Sequence, residues 1–124
     1  MSQASLKILR YSLFFLFVWF GYQQLVYPES WIGFLPDWTG YLPIPAAMLV
    51  QLNGWMEIMF SFLLLFGVFT RVAVTIVSTH LFFIALWVGG AVGVRDAVLA
   101  LAGFALAASK ADDWTVDTKY WSKK

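Results

Sequence analysis

Long stretches of this chain carry almost no charge, and that decides what it can fold into. Residues 11–27 are 17 uncharged residues, residues 46–70 carry one charge, Glu57, and residues 72–94 carry none. A helix crossing about 30 Å of hydrocarbon needs about 20 residues, with roughly 17 as the floor. Each stretch therefore predicts a membrane-spanning helix. A fourth, residues 97–109, holds 13 residues and falls short unless Arg95 and Asp96 enter the membrane edge.

Composition agrees. Of 124 residues, 61% are hydrophobic and 12% charged. A soluble body this small has too much surface to cover with so few polar groups. The class left is a small integral membrane protein of one domain. Eight Lys and Arg against seven Asp and Glu leave a net charge of +1, with no basic patch for nucleic acid. The absence of cysteine excludes disulfides, iron–sulfur clusters and thiolate zinc sites. One histidine cannot give a haem two imidazoles. No cofactor is encoded by motif, and no metal site is expected.

The expected fold is an all-α four-helix membrane bundle spanning residues 1–124, with helices at about 6–26, 46–68, 71–88 and 94–109. The first ends before Pro28, which cannot continue a helix. The second follows Pro43-Ile-Pro45. A short turn, Phe66-Gly-Val-Phe-Thr-Arg71, makes the second and third an antiparallel hairpin. Gly89-Gly-Ala-Val-Gly93 reads as a flexible link. The first span lacks a small-x-small cleavage site and reads as an uncleaved anchor. Lys7, Arg10, Arg71, Lys110, Lys119, Lys123 and Lys124 fall on one side of this topology and only Arg95 on the other. The positive-inside rule then places both termini in the cytoplasm, in a prokaryote-like plasma membrane.

The loop PESWIGFLPDWTGYLPIP, residues 28–45, is too apolar for open water. Its Trp31, Phe34, Leu35, Trp38 and Tyr41 favour the headgroup layer, so it is expected to lie as a lid over the outer end of the bundle. The tail, residues 110–124, mixes aromatics with both charges and is expected on the inner interface. Arg10 and Arg71 read as topology markers touching lipid phosphate. The rings of the first span (Phe14, Phe15, Phe17, Trp19, Phe20) read as lipid-facing and packing surface.

Polar groups at membrane depth are costly and point to function. Glu57 lies near the middle of the second span, with Asn53 and Ser61 one turn to either side and Gly54 beside them. His80 lies near the middle of the third. The hairpin brings both to similar depth, so they are expected to meet, directly or through water. Either they form an ion pair, or both are neutral. One reading is a proton-handling or head-group-binding pair, the other a hydrogen bond that locks two helices. Gln23 and Gln51 read as interface solvation, whereas Gln24 shares a face with Gly21 and Phe17 and looks inward. Arg95 and Asp96 are expected at the outer boundary under the lid. Asp96 then shares a face with Ala100, Gly103 and Ala107, or serves only as a helix cap.

These pieces together resemble the DoxX family of small four-helix membrane proteins. The resemblance rests on Arg10 opening the first helix, Phe20-Gly-Tyr-Gln-Gln-Leu25, Pro28-Glu-Ser-Trp31, Glu57, the Gly-x-x-Thr-Arg turn, Val94-Arg-Asp96 and Trp114-Thr-Val-Asp117. Many relatives carry Lys where this chain has Gln24. Here His80 or Arg95 is left as the partner for Glu57, or Glu57 stays protonated. The resemblance implies a quinone-linked oxidoreductase subunit, since some relatives belong to a thiosulfate:quinone oxidoreductase.

Three functions follow. In the first, Glu57, His80, Asn53, Gln24, Arg95 and Asp96 form a site for a quinone, and electrons arrive from a soluble or membrane oxidoreductase subunit. In the second, the bundle is a scaffold that anchors a soluble partner through its tail. In the third, a homo-oligomer carries a small solute or protons.

Overall fold

The computed structural model describes residues 2–110 and 112–117, and these are mainly helical. Helix α1 runs Gln3–Val26, α2 Ala46–Phe66, α3 Thr70–Val88 and α4 Gly90–Ala108. All four are long and apolar enough to cross a membrane. At 1.5 Å per residue the shorter pair reach about 28 Å, close to the hydrocarbon thickness. Lys119, Tyr120, Trp121, Lys123 and Lys124 lie outside the described residues.

The fourth helix begins at Gly90, four residues earlier than its charge pattern suggests. The expected flexible link at 89–93 shrinks to Gly89 and Gly90, whose φ values of 67° and 63° turn the chain. The Gly93 amide already donates to the Gly89 carbonyl at 2.9 Å. A five-residue loop at this depth would strand backbone polar groups in lipid, whereas a helix satisfies them internally. The earlier start gives α4 its 19 residues and puts Arg95 and Asp96 inside its second turn.

The helices pair as α1 with α2 and α3 with α4, and the two pairs meet more loosely. Gly21 and Gly54 let α1 and α2 approach closely. A Cβ at Gly21 would lie 2.8 Å from the Gly54 carbonyl, and one at Gly54 would lie 2.9 Å from the Gly21 carbonyl. Small residues permit such contact between membrane helices. Leu13, Phe17, Leu64, Val74, Val77 and Ala100 form the buried centre. Phe15, Trp55, Phe83, Leu86 and Leu101 point outward and are exposed. An apolar exterior on every helix suits lipid as solvent.

The lid is built from two 3-10 turns, Pro28–Phe34 and Asp37–Tyr41. Trp31 meets Phe20 of α1 edge-on, with ring centroids 5.5 Å apart, and lies 5.4 Å from Phe34. Tyr41 alone of the expected lid rings is almost wholly exposed, at 92%.

The opposite end, where the chain terminates, is stapled by polar contacts. Arg10 is not a lipid-facing marker: it is fully buried. Its Nε donates to Asp112 Oδ2 at 2.8 Å, and its Nη1 donates to the Leu64 and Leu65 carbonyls at 2.7 Å each. Arg10 thus binds the tail and the last turn of α2 together. A cation is favourable there because the final carbonyls of a helix carry partial negative charge. Arg71 stays exposed at the start of α3.

The described part of the tail, residues 112–117, packs into this end, with Asp112 and Thr115 buried. Gly67, at φ 71°, ends α2 in a left-handed cap closed by Val68 N–H to the Leu63 carbonyl at 2.9 Å. A Cβ on Gly67 would overlap the Thr115 side chain. The Asp117 carboxylate accepts from the Phe69 and Thr70 amides, each at 2.8 Å. It caps α3 from across the fold, since Phe69 offers no side-chain cap. Lys7 reaches Asp113 at 2.8 Å and stacks over Trp114. The hydrogen bond from Lys7 holds the exposed Asp113 carboxyl below its ordinary range.

Candidate functional site

The lid end contains a cavity of about 880 Å³ between the two helix pairs. Its walls come from all four helices and the lid. Gln24, Asn53, Glu57, His80, Arg95 and Asp96 all line it. Each arrives from a different constraint. Helical spacing turns Glu57 inward with Gly54 and Ser61, all three buried. Antiparallel pairing brings His80 to the same depth. The early start of α4 carries Arg95 and Asp96 under the lid.

Glu57 and His80 share this cavity but form neither an ion pair nor a hydrogen bond with each other. Glu57 is 3% exposed, and its Oε2 has no hydrogen-bond partner among the described residues. His80 Nε2 is likewise buried without one. The direct bond that the helix-locking reading expected is not formed, and both residues line the same cavity. Arg95 does not reach Glu57 either. Its Nε bonds Asp96 Oδ1 at 3.2 Å, and its side chain is 59% exposed.

Asp96 is buried and stands seven residues into α4, too far in to cap it. Gln24 faces inward and accepts from Asn53 Nδ2 at 2.7 Å. That bond joins α1 to α2 one turn above Glu57. Gly54 and Gly21 allow it by bringing the two backbones together.

The rest of the wall is apolar. Phe20, Trp31, Phe34, Trp38, Phe83 and Trp87 line it with Leu35, Leu49 and Ile84. The roles of Phe83 and Trp87 were not legible in the sequence, because their span reads as apolar throughout. A cavity of this size, mostly apolar with a few convergent polar groups, is the usual form of a small-molecule site. Glu57 Oε2 and His80 Nε2 are two of the four buried side-chain atoms without a partner among the described residues, the others being Thr70 Oγ1 and Ser78 Oγ, and such atoms call for a water or ligand to meet them. The arrangement can hold a flat, largely apolar molecule and hydrogen-bond its polar end.

The model of the DoxX family matches residues 5–90. That stretch contains Arg10, the lid, Glu57, the Gly67 turn and His80; Val94-Arg-Asp96 and Trp114-Thr-Val-Asp117 lie beyond it. No curated protein and no solved structure matches the chain.

Proposed function

The chain belongs to the DoxX family, and on that premise we propose that this integral membrane protein is a quinone-interacting subunit of a membrane oxidoreductase assembly. One observation carries the reading: Glu57 and His80 both line one ring-lined cavity, and each has a buried side-chain atom, Oε2 and Nε2, without a hydrogen-bond partner among the described residues. A quinone head group is flat, apolar on its faces and polar at two opposed oxygens, which suits that wall. When bound, a quinone supplies a two-electron, two-proton couple.

The chain's residues would do the following work. Glu57 and His80 would hold the head-group oxygens and hold or pass a proton at Oε2 and Nε2. The Asn53–Gln24 bond would fix the α1–α2 wall beside them. Trp31, Phe34 and Trp38 would keep water out. Electrons would come from a partner subunit, since the chain has no cysteine and one histidine. The distribution of Lys and Arg favours cytoplasmic termini, which would put the stapled end on the partner's side. The scaffold reading loses support at the tail, because residues 112–117 are bound by the bundle itself.

The test is gentle purification from membranes and mass spectrometry of bound quinone, beside a Glu57→Gln variant. Quinone in the parent, lost from the folded variant, is expected. A folded parent that carries none and takes up none when supplied refutes the reading.

A further inference from the structure

The charge on the cavity wall points to a second class of ligand. Three ionisable side chains other than His80 line it: Glu57, Asp96 and Arg95. Arg95 bonds its neighbour Asp96 through Nε at 3.2 Å, and its side chain is 59% exposed. Glu57 has no cation within 4.0 Å and keeps Oε2 free. The wall therefore carries two carboxyl groups against one guanidinium, and the guanidinium is paired with Asp96, not with Glu57. An anionic ligand would meet it unfavourably.

The rings complete the pattern. Trp31, Phe34, Trp38 and Trp87 line the same space. The face of an aromatic ring carries negative quadrupole potential and attracts cations, Trp most strongly. Several such faces beside a buried carboxyl group make a receptor for positive charge wrapped in apolar groups. Phe83, Leu86 and Trp87 combine wall positions with lipid-side exposure, so the cavity borders the bilayer, where such molecules concentrate.

We propose that the lid-end cavity binds a lipophilic organic cation, an ammonium or phosphonium bearing apolar groups, with its charge against Glu57 Oε2 and its apolar arms among Trp31, Phe34, Trp38 and Trp87. The inference rests on the cavity alone and stands whether or not the protein also takes a quinone.

Two probes of like size and opposite sign test it: tetraphenylphosphonium and tetraphenylborate. Each is titrated into protein verified quinone-free by mass spectrometry, in a mild membrane mimetic, and uptake by empty mimetic is subtracted. The expected result is saturable phosphonium binding at roughly tenfold or greater preference over borate. A folded Glu57→Gln variant is expected to lose most of that preference. Equal affinity for the two probes, tighter borate binding, or no saturable phosphonium binding overturns the proposal, and so does a folded Glu57→Gln variant with the parent's preference. The parent's sign preference decides the matter if the variant fails to fold. Because quinone content is read separately, failure here and failure of the quinone reading are distinguishable.

Discussion

Replacing Asp112 by Leu tests how this bundle is closed. Arg10 and Asp112 are each 1% exposed and share two hydrogen bonds, at 2.8 and 3.3 Å. Solvent screening is therefore slight. Removing one partner of a buried pair leaves an uncompensated buried charge, at about 3–5 kcal/mol. That is a large share of the roughly 5–15 kcal/mol that holds a typical domain together. Asp112→Leu, which strands the Arg10 guanidinium, should lose about that much, and Arg10→Met, which bares the Leu65 carbonyl, should lose at least about 1–3 kcal/mol.

The double variant removes both charges at once. It leaves the Leu65 carbonyl and the Trp114 amide without the partners that Arg10 and Asp112 supply, at about 1–3 kcal/mol each. Its loss, about 2–6 kcal/mol, is thus expected to match that of one single variant and fall well short of the sum of the two. The assay is denaturant unfolding in a mild detergent, followed by tryptophan fluorescence and helical circular dichroism. Losses that simply add would refute the argument, because additivity means the two groups act independently. A single variant losing under about 1 kcal/mol would also refute it, since that is the scale of an exposed pair.

Other substitutions at the same end have defined outcomes. Gly67→Ala should destabilise by about 1–2 kcal/mol from the left-handed backbone alone, and by more where the new Cβ meets Thr115; a neutral result in the same unfolding assay would show that the tail can step aside. Asp117→Ala should cost about 1 kcal/mol and speed amide exchange at Phe69 and Thr70, read by hydrogen exchange. Lys7→Met should return the Asp113 carboxyl to its ordinary range in an NMR titration. Since the paired carboxyl titrates low, the Lys7–Asp113 contact is present above the usual Asp range and lost as pH falls through the lowered value.

The spans were legible because lipid imposes one rule: a long uncharged stretch must be helical. The same rule corrects the Gly89–Gly93 reading, which treated glycine as a loop signal when membrane depth overrides it. Glu57 and His80 were legible as inward groups because a polar residue at mid-span has nowhere else to go. Their failure to bond each other was not, since similar depth leaves open how far apart two helix pairs stand.

Arg10 misled because a cation near a helix end looks like a headgroup contact. Two signals pointed the other way. Arg10 falls in the eighth position of α1, well past its start. The structure starts α3 at Thr70 itself, which leaves Phe69 at the cap position without a capping side chain, so the first amides take a distant acceptor among the acidic residues that follow the last helix. Read together, these require the tail to fold back.

The two ends of the bundle treat polar groups oppositely, and this separates stability from function. At the stapled end Arg10 and Asp117 are bonded to the helix termini they close, and Asp112 is bonded to Arg10. At the lid end Glu57 Oε2 and His80 Nε2 are buried without partners among the described residues, on residues that line a cavity. Buried polar atoms without partners subtract from stability, so replacing them with apolar groups of similar size should not weaken the fold. Glu57→Leu and His80→Phe are therefore expected to unfold no more easily than the parent while losing any cavity ligand. The Arg10 and Asp112 variants should show the reverse order: weaker folding first, and ligand loss only as a consequence. A Glu57→Leu variant that unfolds several kcal/mol earlier than the ligand-free parent would mean that the carboxyl group supports the bundle itself, and the lid-end cavity would lose its claim as the working site.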